Sequence, residues 1–83
     1  MQVEAVLVGI VNRNELIDTL KHIETWCVGN VCIVKYDDEV ATIYVVEDMD
    51  VDVLVYIEYK STGRVELLEQ LADLLPVVKV EVE

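Results

Sequence analysis

The sequence predicts an α+β fold of order β-α-β-β-β-α-β, with a mixed or antiparallel sheet and two helices packed mainly on one face. Three observations predict it. Apolar residues make up 54% of the chain, above the roughly 45–50% of ordinary soluble domains, so a core forms despite a net charge of -11. Eighteen of the 83 residues are Val and none is Phe, a composition that favours pleated, half-buried surfaces. Only two segments carry the helical period, and the rest alternates or runs apolar. Residues 1–83 read as one domain, because a second core does not fit in this length.

Residues 3–11 (VEAVLVGIV) are apolar on both alternating faces, as in a central strand. Asn12 and Glu15 then have the spacing of a capping box, with Asn in place of Ser or Thr. Leu16, Ile17, Leu20 and Ile23 follow at helical spacing, so a one-faced helix is expected to end near Trp26, with Gly29 just beyond. His22 lies off that stripe and is expected in solvent. Residues 31–36 (VCIVKY) and 40–46 (VATIYVV) read as strands joined by Asp37-Asp38-Glu39. A polar loop is expected from Glu47 to Asp50, then a strand over 52–59 (DVLVYIEY). Asp48 to Asp52 resembles half of a calcium loop, but Val53 and Tyr59 stand where the Gly turn and the bidentate Glu belong. Ser61 or Thr62 is expected to cap the second helix, whose stripe is Leu67, Leu68, Leu71, Leu74 and Leu75, and Pro76 stops it. Val78, Val80 and Val82 alternate with charges in the last strand, a pattern that protects an edge.

Charge and cysteines narrow the function. Six basic residues are scattered singly against 17 acidic ones, and seven acids lie between Asp37 and Asp52. Such a surface repels a phosphate backbone and an anionic membrane. The first eleven residues are interrupted by Glu4 and lack a basic n-region, so no targeting segment is expected, and no apolar run reaches ~18–20 residues. Cys27 and Cys32 flank a Val-Gly-Asn turn, and a single His leaves too few ligands for structural zinc. Buried free thiols are expected, and with them a cytoplasmic location. There is no Gly-rich phosphate loop and no Gly-x-Ser-x-Gly elbow, and His22 is the one imidazole available as a base.

Two resemblances can be attached to particular residues. The stretch from Val65 to Val82, a Leu helix followed by Leu-Pro-Val and Val-x-Val, resembles the last helix and strand of ferredoxin-like regulatory modules of the ACT and RAM kinds. That resemblance implies a non-enzymatic, ligand-binding regulatory module. The chain departs from it at Asn12-Arg13-Asn14, where an ACT module usually shows Asp-x-Pro-Gly, and in having a third strand between the helices. Without its first strand, the order resembles the core of the PD-(D/E)xK nucleases, with Glu58-Tyr59-Lys60 as the Glu-x-Lys. The nuclease resemblance implies that Asp38, Glu58 and Lys60 converge on one Mg2+, with Lys60 orienting the attacking water and Glu15 as an extra acid. Carboxylates of Asp38 and Glu58 more than ~6–7 Å apart would leave no room for a shared cation. Outside this alternative, no cofactor is expected.

The leading expectation is a self-associating module that binds a small ligand or a protein partner. It rests on counting faces. Two helices, each with one apolar stripe, cover one face of the sheet. If Val78, Val80 and Val82 face the helices with Ala5, Leu7, Val53, Val55 and Ile57, then Val6, Val8, Ile10, Ile33, Tyr44, Leu54 and Tyr56 lie on the other face. Glu4, Lys35, Glu58, Lys79 and Glu81 rim it. Monomers rarely leave a contiguous apolar patch above a few hundred Å2 in water, so a homodimer or higher homo-oligomer is expected, with a second-face helix as the competing arrangement.

Overall fold

A computed structural model describes residues 1–83. The elements in chain order are β1 (Val3–Asn12), α1 (Arg13–Leu20), β2 (Glu24–Val28), β3 (Val31–Tyr36), β4 (Glu39–Met49), β5 (Asp52–Ser61), α2 (Glu66–Ala72) and β6 (Val77–Val82). The six strands form one antiparallel sheet of order β2-β3-β4-β5-β1-β6. The fold is therefore α+β with two helices, as the composition predicts, but it has one strand more than expected. Its strand order is not the ferredoxin-like one.

The extra strand comes out of the first predicted helix. α1 starts as expected, with the Asn12 side chain accepting the Glu15 N–H at 3.1 Å. It stops at Leu20, and residues 24–28 (ETWCV) pair with β3 instead of completing a third helical turn. Thr, Trp and Val suit a pleated surface. Gly29 at φ 59 closes the two-residue turn with Asn30, an arrangement that L side chains adopt reluctantly. Ile17, placed in the helical stripe by its spacing, is 54% exposed. The chain turns away before a second α1 face can be covered. His22 is exposed, as expected.

The hairpin connections are tighter than the sequence suggested. β4 runs on through Glu47 and Asp48 to Met49, so the expected polar loop shrinks to Asp50-Val51, with Asp50 at φ 73. Arg13 secures that turn. Its backbone N–H donates to Val51 O at 2.9 Å, its Nε donates to Asp50 O at 2.8 Å, and its Nη2 pairs with Asp48 Oδ1. The backbone N–H of Asp50, and then Arg13, hold the Asp48 carboxyl below its ordinary pKa.

One cluster makes the core. The odd-numbered residues Val3, Ala5, Leu7, Val11, Val53, Val55, Ile57 and Tyr59 join Val34, Ala41 and Ile43 beneath Leu16, Leu67, Leu71 and Leu75. Strand alternation carries these side chains to one face, and both helices pack there. Ala5, Leu7, Val53, Val55 and Ile57 are buried on the helix side as expected. Val78, Val80 and Val82 do not seal the core. β6 is an edge strand with a bulge opposite Val6/Leu7, and all three valines are exposed. Gly9 lies on the helix side where the chain passes closely; a Cβ there would meet Leu75 Cδ2 at 3.1 Å.

The cysteines are corrected as well. Cys27 and Cys32 are direct cross-strand partners in the β2–β3 hairpin and form a disulfide. The turn brings their Cα atoms to 4.1 Å, and Cys27 is exposed rather than buried. This bond removes the basis on which a cytoplasmic location was expected. No helix is long and apolar enough to cross a membrane.

Candidate functional site: the open face of the sheet

The even-numbered residues of β1, β2, β5 and the first half of β4, with the odd-numbered residues of β3 and Lys79 and Glu81 of β6, point away from both helices, and the register sorts them into rows that cross the strands. One row is apolar over five strands: Val28, Val31, Tyr44, Tyr56 and Val8. Beside it, towards the Asp50-Val51 turn, run Glu47, Leu54 and Ile10. On the other side run Trp26, Ile33, Thr42, Glu58, Val6 and Lys79. The next row is almost wholly charged: Glu24, Lys35, Val40, Lys60, Glu4 and Glu81. The seven residues expected on this face are thus brought together. Ile10 is 60% exposed and Ile33 46%, while Val6, Val8, Tyr44 and Leu54 are half-buried by their neighbours. The Tyr44 and Tyr56 rings lie 6.1 Å apart, tilted at 55°.

Charges at the polar end are partly paired. Lys60 Nζ lies 3.8 Å from Glu4 Oε1, and Lys79 Nζ lies 2.8 Å from Glu81 Oε1. Hydrogen bonding to Glu81 raises the Lys79 pKa. Glu58, Lys35 and Glu24 form no ion pair within the chain. Desolvation and the neighbouring Glu58 carboxylate raise the Tyr44 hydroxyl above its ordinary value. Two hollows open at this end, one of about 130 Å3 where Glu4, Val6, Glu58, Lys60, Lys79 and Glu81 meet and one of about 230 Å3 beside Val40, Thr42, Glu58 and Lys60. Each is below the ~300–1,000 Å3 that encloses a typical small-molecule ligand. The site is a surface rather than a pocket.

The nuclease-like trio is divided. Glu58 and Lys60 share the open face, on β5. Asp38 sits in the β3–β4 turn, where its Oδ2 accepts from Thr62 Oγ1 at 2.8 Å and from the Arg64 N–H at 3.5 Å. The Thr62 bond, followed by the Arg64 N–H, lowers its pKa. Continuing the β4–β5 register sets Asp38 opposite Thr62, four residues beyond Glu58, or ~13 Å at the rise of a strand. That is too far for one Mg2+, and no group of three His, Cys, Asp or Glu is placed to hold a metal ion. Glu15 lies on α1, at the start of the helix. Asp38 serves instead as a tie between the turn and the β5–α2 connection.

Glu39 shows what sequence reasoning missed. It is 0% exposed, on the helix side of β4. Its Oε1 accepts from Tyr59 Oη at 2.6 Å, from Leu67 N at 2.8 Å and from Leu68 N at 3.4 Å. Ser61 and Thr62 do not cap α2. Val65 stands at its N-terminal boundary without a side-chain bond, and the carboxylate from β4 takes the free amides. Glu39 Oε2 is buried without a partner. Burial, then the hydrogen bond to Glu39, raises the Tyr59 hydroxyl far above its ordinary pKa. Local sequence around α2 carries no sign of a cap supplied from so far upstream. Trp26 and Val28 were also missed as members of the open face, although Gly29-Asn30 between β-formers was a hairpin signal.

No family model, curated protein or solved structure matches the chain.

Proposed function

We propose that this chain is a small, non-enzymatic self-associating module whose open sheet face is covered by a second copy. The observation that carries the reading is the uncovered face itself. Both helices pack into the one core on the other side, so the row from Val28 to Val8, with Leu54, Ile10, Ile33 and Trp26 around it, is left in water. Trp26 is 52% exposed. Strands of five to eleven residues, six of them side by side, tile roughly 750 Å2 at ~3.3 Å rise and ~4.8 Å spacing. A stable interface takes ~800 Å2 from each partner, so the face is of the size a dimer needs. An apolar centre with Tyr side chains and a charged margin suits such a contact. The shallow hollows favour a flat macromolecular partner over a small ligand.

Sedimentation velocity at micromolar concentration tests this. The expected species has twice the 9.4 kDa chain mass, and Tyr56→Glu, which places a charge in the middle of the apolar row, is expected to yield monomer. A wild-type protein that sediments as monomer at these concentrations overturns the reading.

A further inference from the structure

The rows on the open face also select a geometry for the contact. Resting on the self-association proposed above, we infer that the two copies stack with their two-fold axis parallel to the strands, over the boundary between β4 and β5, so that Lys35 of each copy meets Glu4 of the other.

Two-fold axes lying between face-to-face sheets run either along the strands or across them. An axis along the strands keeps each row at its own level and reverses the order of columns. The four central columns are β3, β4, β5 and β1. Reversal puts Tyr44 over Tyr56, Val31 over Val8 and Ile33 over Val6, each apolar on apolar, at the cost of Glu47 over Leu54 and of Lys60, which keeps Glu4 beside it, over Val40. Thr42 falls over Glu58, so a hydroxyl donor faces the carboxylate that has no ion pair within its own chain. In the charged row Lys35, likewise unpaired, falls over Glu4. Each contact occurs twice by symmetry. The like-charged Glu24 and Glu81 occupy the outermost columns, and the ~30° offset of aligned sheets swings them apart into solvent.

An axis across the strands does worse at either level. Set over the row of Trp26, it lays the charged row on the apolar row: Lys60 on Tyr56, Glu4 on Val8, Lys35 on Val31. Charges buried against hydrocarbon without partners are costly. Set over the row of Tyr44, it leaves the charged row outside the contact and presses Glu58 onto Leu54. Less area is buried there, and Lys35 is left without a partner. Only the axis along the strands gives both Glu58 and Lys35 a partner.

Carbodiimide cross-linking of the wild-type protein, followed by peptide mass spectrometry of a mixed 14N/15N sample, tests the geometry without altering the fold. A Lys35–Glu4 amide between isotopically different copies is the expected product. Within one chain these residues are three strands apart, ~14 Å, beyond the reach of a zero-length link. Charge reversal gives the second readout. Lys35→Glu and Glu4→Lys are each expected to weaken the dimer at least tenfold, and the double variant to return within about threefold of wild type. Far-UV circular dichroism checks that each variant is folded. A wild-type dimer that gives no Lys35–Glu4 link, and that the double reversal does not restore, overturns this axis and leaves self-association standing. A wild-type monomer overturns both.

Discussion

Replacing Glu39 is the most direct test of how this small fold is held. The carboxylate is wholly buried, and its Oε1 takes three donors: the Tyr59 hydroxyl and the Leu67 and Leu68 amides. Glu39→Ala strands the two amides at the start of α2, while Tyr59 keeps an acceptor in Arg64 O at 2.9 Å. A hydrogen bond to a charged group contributes ~1.5–3 kcal/mol, and loss of a helix cap costs ~1 kcal/mol. Removing the unpartnered Oε2 relieves part of the desolvation that the native protein carries. The net expected loss is ~2–4 kcal/mol, a large fraction of the ~4–12 kcal/mol available to a chain of this size. Glu39→Gln keeps a carbonyl oxygen for the same donors but loses the charge assistance and buries an NH2 group where Oε2 has no partner, so a loss of ~2–4 kcal/mol is expected as well. Urea titration followed by far-UV circular dichroism, at one fixed protein concentration, reads both values. If Glu39→Ala lies within ~0.5 kcal/mol of wild type, the carboxylate contributes no net stabilisation to the start of α2. In that case the account of Glu39 as the cap of α2 is refuted.

Three further outcomes follow from the same packing. Leu71→Ala, at a position with 0% exposure in the centre of the core, is expected to cost ~2–5 kcal/mol in the same titration, and a loss below ~1 kcal/mol would mean that α2 is not docked. Gly9→Ala drives a methyl to 3.1 Å from Leu75 Cδ2, and Leu75 is itself buried. A net loss of about 1 kcal/mol is expected, and it should disappear in a Leu75→Ala background. Acid stability is set partly by Asp38 and Asp48, whose folded pKa values lie below the ordinary carboxylate range. Their contribution is present above ~pH 4 and is lost as the pH falls through the folded values, so Asp38→Asn and Asp48→Asn should each flatten the acid limb of a stability–pH curve.

Much of the scaffold is legible from periodicity alone. Odd and even positions of Val3–Val11 and Val53–Tyr59 separate onto the two faces as expected, because a strand alternates whatever its surroundings. What escaped was decided by contacts between distant residues. Leu16, Leu20 and Ile23 fit a helix, but pairing of Thr25 with Val34 and Cys27 with Cys32 turns the following residues into an edge strand. Val78 sits at a bulge, so its alternation with charges misstates where it points. The Glu-x-Lys at Glu58 and Lys60 falls on the face that the pattern assigned to it. Its supposed partner Asp38 was placed by counting to a strand end, and the two-residue turn and its bonds to Thr62 and Arg64 put that carboxylate elsewhere.

The position of β1 has a consequence for the order in which the sheet assembles. Strands β2 to β5 form a meander in which each pairs with the next. β1, although first along the chain, is held between β5 and β6, and Gln2 exchanges backbone hydrogen bonds of 2.8 Å with Glu83. The meander can therefore zip from local contacts, while β1 waits for a partner some fifty residues downstream. At synthesis rates of ~5–20 residues per second, that wait is roughly 3–10 s. Through it the segment VEAVLVGIV, apolar on both faces, has neither edge paired. Closure of the long loops that dock β1 and β6 places refolding in the milliseconds-to-seconds range of non-local β topologies. In the nascent chain, the strand that completes the core is also the segment most exposed to wrong partners.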